Sequence, residues 1–252
     1  VYSLAHIFLL IGAGIVAGVM GSAGGITSLV SYPALLAVGI APLPANVTNV
    51  VAIVGSFPGS ALGSRPELAG QASWIRRWAP FAAAGGALGV TLLLLTPSHV
   101  FDRLVPYLLL AAGLLLIVQP SISRWHVGRG GGGGDTVIGA GIFAVSAYSG
   151  YFGAGSGIMA LALILITVDQ TYPRANALKN MIIGVATVVA AVGFLLFGPV
   201  RIVAALYLGS GLLVGSFLGP KVARRLPGHV LRTFAAVLAV GLAVWLFVSP
   251  GS

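Results

Sequence analysis

The sequence predicts an all-α polytopic membrane protein made of two inverted-topology repeats, each a glycine-broken helical segment followed by three transmembrane helices. Three observations predict it. Hydrophobic residues make up 58% of the chain, charged residues 7%, and the mean hydropathy is +1.06, a composition of membrane rather than water-soluble proteins. Gly18, Gly21, Gly25 and Ile26 recur as Gly150, Gly153, Gly157 and Ile158 at a constant offset of 132, and "IGAGI" stands at both 11–15 and 138–142. The basic residues, finally, divide very unevenly between the two membrane faces under one topology only.

Taken in order, the first repeat (1–120) opens on a broken segment with apolar arms at 3–20 and 26–41, followed by helices at 44–63, 78–96 and 103–119. The arm at 3–20 lacks a basic leader and its pattern returns mid-chain, so it is read as structure rather than a signal peptide. A glycine-run loop, 121–135, links to the second repeat (136–252), with arms at 136–149 and 157–168 and helices at 174–197, 202–219 and 230–248. Later markers agree with the duplication. Asn49 matches Asn180 at offset 131, and a GxxxG at Gly85 and Gly89 matches one at Gly211 and Gly215 at offset 126. These GxxxG pairs read as close-packing points between helices.

The topology follows from whether the broken segment crosses the membrane or returns. If it crosses once, basic residues divide six against seven. If it returns, Arg65, Arg76, Arg77, Arg124, Arg129, Arg174, Lys179, Lys221, Arg224, Arg225 and Arg232 share one face, leaving only Arg103 and Arg201 opposite. Eleven against two satisfies the positive-inside rule and makes the halves inverted, with both termini outside the cytoplasmic membrane. The second pair of arms, about 14 and 12 residues, reaches only ~21 and ~18 Å as helices against a ~30 Å hydrocarbon core. A re-entrant hairpin is expected there; the first pair fits either a hairpin or two spans.

Irregular backbone at membrane depth is tolerated where it is buried in protein or lines a polar cavity. The turns at Gly21, Ser22, Gly24, Gly25 and at Gly153, Gly155, Ser156, Gly157 are therefore the candidate substrate site. Glycine exposes backbone N–H groups, and each turn leads into a helix N-terminus that favours negative charge. Only Glu67, Asp102, Asp135 and Asp169 are acidic, all in or beside loops, so the pattern fits an anion rather than a cation or a carboxylate proton relay. Ser22 and Ser156 either contact substrate or bond local carbonyls. Lys179 either faces the substrate, adding attraction for a doubly charged oxyanion, or snorkels to the interface. Tyr148 and Tyr151 either pack or gate.

The stretches "GVMGSAGGI" and "GYFGAGSGI", each followed by an apolar arm and then by "ANVTN" or "ANALKN", resemble the TauE/SafE sulfite exporter family over essentially the whole chain. The resemblance implies export of sulfite or an organosulfonate driven by the membrane potential or proton gradient. It also implies substrate contacts at Gly21, Gly24, Gly25, Gly153, Gly155 and Gly157, and at a pair opening the next helix, Thr48 and Asn49. In the second repeat that pair reads Lys179 and Asn180.

Other classes fit less well. The chain has no cysteine, which excludes disulfides, thiolate metal sites and cysteine nucleophiles. An intramembrane serine hydrolase needs a histidine base in the bundle, whereas His6, His99, His126 and His229 fall near helix ends or loops. Thirteen Lys and Arg on short loops set membrane orientation, so no nucleic-acid partner is expected, and no cofactor either. A passive anion channel shares every feature of the carrier reading and remains the alternative.

Overall fold

The computed structural model describes residues 2–126, 134–168 and 171–223, and all regular structure among them is helical. The predicted helix at 230–248, Asp169 and residues 127–133 of the linker lie outside the described residues, and 121–126 of the linker belong to a helix. Helix α1 (Leu4–Gly24) is capped by Ser3, whose hydroxyl accepts from the His6 N–H. Its 21 residues rise about 31 Å, enough to span. The return arm α2 (Ser28–Ala37) and its counterpart in the second half, α9 (Ser156–Thr167), have 10 and 12 residues, about 15 and 18 Å, and neither can cross alone. Leading into α9 is α8 (Asp135–Tyr151).

The glycine breaks are tighter than the sequence suggests. Gly21 and Gly24 belong to α1, and the chain leaves helix only at Gly25, whose φ of +78° suits glycine. In the second half Gly153 and Gly155 take φ of +80° and +81°, and α9 starts at Ser156 rather than 157. The predicted helix 44–63 is two helices, α3 (Pro42–Ile53) and α4 (Ser56–Gly63). Gly55 sits at the break, where an added Cβ would come within 2.6 Å of the Gly209 carbonyl. Its counterpart α10 (Tyr172–Phe197) is unbroken. A short α5 (Arg65–Leu68) follows α4, and α6 (Ala72–Leu95), α7 (Ser98–His126) and α11 (Ile202–Ala223) complete the described helices. Five spans among the described residues are long and apolar enough to cross a membrane, α3 and α4 counting together as one. Phe8, Leu95, Phe197 and Leu206 are exposed on these helices, as lipid-facing residues are.

The GxxxG glycines pack as expected, each pair against the first arm of the other half. A Cβ on Gly85 would lie 2.8 Å from Ser146 Cβ, and one on Gly89 2.8 Å from Gly150 Cα; on α1, Gly14 meets Gly211 at 3.0 Å and Gly18 meets Gly215 at 3.0 Å. With no Cβ in the way, the backbones approach closely enough for dispersion and weak C–H···O contacts to replace the hydrophobic effect, which is absent between helices in lipid. These registers ascend together, so α1 runs parallel to α11, and α6 to α8. Gly59 and Gly63 of α4 meet Leu213 and Phe217 of α11 in ascending order, and α6 likewise runs with α10 (Gly86 on Ala186, Val90 on Gly193). Gly184 and Gly198 of α10 meet Phe57 and Val47, in descending order. Helices α1, α3, α4 and α11 thus point one way, and α6, α8 and α10 the other.

At one end, Arg77 of α6 pairs with Asp135 of α8, and the same guanidinium lies 5.0 Å over the Trp78 ring. Both partners are more than half exposed. Asp135→Asn is therefore expected to change stability by less than about 1 kcal/mol, measured as a thermal midpoint in detergent.

Candidate substrate site

The two glycine turns meet at the centre of the bundle. A Cβ on Gly25 would stand 2.6 Å from the Gly157 carbonyl carbon, and one on Gly157 2.6 Å from Gly25 Cα. The two glycines stand at matching positions of the sequence pattern, 132 residues apart. Beside this contact lies a cavity of about 60 Å³, walled by the turns, by α4 and by α10. About 10–15 Å³ of such space holds one water, so the cavity has room for a small polyatomic ion.

Eight of the twelve residues expected at the site line this cavity: Gly21, Ser22, Gly25, Gly153, Ser156, Gly157, Lys179 and Asn180. Four do not. A side chain at Gly24 would touch only Ile26, at 3.9 Å, and Gly155 shapes the second turn through its positive φ but is not part of the cavity wall. Thr48 is fully buried, and its hydroxyl accepts the Arg201 backbone N–H at 2.9 Å. Asn49 is also fully buried, and neither side-chain polar atom has a partner among the described residues.

Lys179 is 1% exposed, and its Nζ donates to the Gly21 carbonyl at 3.1 Å. It does not snorkel. Asn176 and Asn180 donate to the Ser22 carbonyl at 2.8 and 3.1 Å. Three side chains of α10 thus reach the last turn of α1, whose carbonyls carry the negative end of the helix dipole; the Gly21 carbonyl also accepts the Gly25 N–H at 2.7 Å. This single carbonyl contact leaves further ammonium donors to face the cavity. In the second turn, Asn46 donates to the Tyr151 carbonyl at 2.9 Å, Ser156 Oγ donates to the Gly153 carbonyl at 2.8 Å, and Tyr148 donates to the Ala154 carbonyl at 2.7 Å. Tyr148 therefore braces the turn. Ser22 bonds locally too, donating to the Gly18 carbonyl at 2.7 Å.

Asn46 and Asn176 each hold a turn carbonyl of the opposite half, which aligns these helices at an offset of 130. In that register Asn49, rather than Thr48, stands opposite Lys179. The sequence pairing slipped by one residue because "ANVTN" and "ANALKN" differ in length.

Hydroxyls at Thr27, Ser28, Ser56, Ser60, Ser149 and Thr187 also line the cavity, beside the apolar Val50, Ile53, Phe57 and Ile183, and sequence reasoning missed them. Ser56 and Ser60, four apart on an otherwise apolar helix, were the available signal, since i and i+4 share a face. Among the described residues no carboxylate lines the cavity, and Lys179 is its one ionisable side chain. A buried cation amid hydroxyl and amide donors, with no acid beside it, is arranged to receive negative charge.

The chain is similar to known proteins along almost its full length. The model of the family described as "Sulfite exporter TauE/SafE" matches residues 7–246. A "Probable membrane transporter protein ORF9" of Sinorhizobium sp. is 26% identical over 257 residues, covering 98% of this chain and 93% of that protein. A "Probable membrane transporter protein" of Haemophilus influenzae is 24% identical over 237 residues, covering 90% and 88%. No solved structure matches this chain significantly. A lysine-bearing, acid-free cavity between duplicated glycine turns accords with that match, and the chain belongs to the sulfite exporter TauE/SafE family of membrane transporters.

Proposed function

We propose that the protein is a secondary carrier that exports a small sulfur oxyanion, sulfite or an organosulfonate such as sulfoacetate, across the cytoplasmic membrane, binding it in the central cavity beside Lys179. The observation that carries this reading is the buried lysine. Its ammonium lies among neutral donors with no carboxylate in the cavity wall, so a bound anion supplies the missing counter-charge. The seryl and threonyl hydroxyls rotate to donate to its oxygens.

The carrier is built from two inverted repeats. Support for this comes from helix directions: α1 and α8, α3–α4 and α10, and α6 and α11 are equivalent in sequence and point in opposite directions, as their contact registers run. The contact of Gly25 with Gly157 supports a pseudo-two-fold axis beside the cavity, and inverted-repeat transporters hold substrate at their repeat interface. Because the chain lacks cysteine, single cysteines report topology directly. Cysteines introduced at Ser73 and Gly228 are expected to react from the cytoplasm, and one at Ser98 from outside. Reaction of Ser73→Cys and Gly228→Cys from opposite sides overturns the inverted arrangement and both termini's placement outside.

The functional test is flux into proteoliposomes over sulfite, sulfoacetate, taurine, sulfate and chloride. Saturable flux selective for sulfite or sulfoacetate is the expected result. Non-saturating, voltage-driven flux that includes chloride identifies a passive channel instead.

A further inference from the structure

A second cavity lies at one end of the bundle, far larger than the first at about 690 Å³. It is walled by the start of α1 (Tyr2, His6), the turn between α2 and α3 (around Gly39, φ +82°) and the loop from α10 into α11 at Arg201. Among the described residues its ionisable groups are Tyr2, His6 and Arg201, and no acid lines it. Arg201 is exposed at its mouth while its backbone N–H is pinned by Thr48 of α3. The starts of α1 and α11 lie together at this end, whereas Arg65 just after α4, Arg174 in the first turn of α10 and Lys221 in the last turn of α11 stand at the other.

The two cavities share α3. Pro44 lines the large one and Val50 the central one, six residues and about 9 Å apart along the helix. One residue before Val50 on this helix stands Asn49, which lines neither cavity and is fully buried, with no partner for either amide atom among the described residues. A buried amide without protein partners costs free energy unless something polar reaches it, and an ion passing along α3 meets that need.

We propose that the vestibule at Arg201 is a second anion-binding station, on the membrane face opposite the cytoplasm, joined to the central site along α3 past Asn49. It binds the same class of small oxyanion, so this inference rests on the transport reading above. Arg201 offers fixed charge and a fork of N–H donors that matches two oxygens of one anion. His6 and Tyr2 add polar groups on the facing wall. Positive charge in a concave site raises the local anion concentration and slows its loss to bulk water.

The test is sulfite flux in right-side-out and inside-out vesicles. For Arg201→Gln, half-saturation for sulfite offered at the vestibule face is expected to rise roughly ten-fold, with little change for sulfite offered at the cytoplasmic face. Arg201→Lys should recover part of the loss, keeping charge without the fork. Arg103→Gln, at the start of α7 and outside the vestibule wall, should behave as wild type at both faces, which separates a site from general surface potential. If Arg201→Gln matches Arg103→Gln, or shifts both faces equally, while wild-type flux stands, the vestibule site is overturned and the central site is untouched. If the wild-type protein carries no sulfite in either direction, sulfite transport falls, and the vestibule proposal falls with it.

Discussion

Leucine at Gly25 or at Gly157 is expected to abolish transport and to lower the yield of folded protein. At Gly25 the side chain meets two obstacles. Its φ of +78° disfavours any L-residue, and its Cβ would stand 2.6 Å from the Gly157 backbone. Backbone strain of about 1–3 kcal/mol adds to an overpacking cost of similar size, a large share of a typical protein's stability of about 5–15 kcal/mol. The turns cannot separate cheaply, because α10 clamps α1 through Asn176, Lys179 and Asn180, and Asn46 of α3 clamps the second turn. Gly24→Ala is the matched control. It has helical φ and open space, so folded yield and flux should stay near wild type. The measurements are fluorescence size-exclusion yield and proteoliposome flux. Wild-type flux from Gly25→Leu and Gly157→Leu would mean that the turns do not form the close contact on which the central site depends.

The second large effect is expected from Lys179→Gln. Glutamine keeps a donor near the Gly21 carbonyl and removes the charge. Hydrogen bonds to a charged group contribute about 1.5–3 kcal/mol, which corresponds to roughly ten-fold to more than hundred-fold in anion affinity. Divalent anions should lose more than monovalent ones, since the Coulomb attraction scales with charge. Stability should move the other way or not at all. A buried ammonium with no acid in its cavity is costly to hold in the bundle, so the thermal midpoint of the anion-free variant should be unchanged or raised. That split distinguishes substrate binding from capping. If Lys179 served only to cap α1, the variant would unfold earlier and keep its affinity. Binding is read by anion-induced thermal stabilisation across sulfite, sulfoacetate and sulfate, which depends on affinity through mass action.

How much was legible in the sequence varies with the physics behind each feature. Membrane character and most helix positions are local properties of hydropathy, and α6, α10 and α11 fall close to their expected bounds. The GxxxG partners Gly85, Gly89, Gly211 and Gly215 were recognised as packing points, because close approach in lipid demands small residues wherever it occurs. The break at Val54–Gly55 was not legible. A glycine inside an apolar run reads alike whether the helix passes through it, as at Gly184, or stops, as at Gly55, and the approach of Gly209 comes from a helix about 150 residues away.

The sequence by itself determined that the chain is an apolar, duplicated, helical membrane protein, with two glycine clusters at matching places and few acids. Each of these is a matter of composition or of spacing along the chain. Only the tertiary structure decided which glycines turn and which merely pack, that the two clusters touch through Gly25 and Gly157, and that Lys179 points into the bundle against the Gly21 carbonyl. A lysine's long stem reaches water or protein equally well from the same helical position. What settles its direction is the carbonyl-bearing end of α1, where Gly21, 158 positions away in sequence, offers an acceptor at the negative end of the helix dipole.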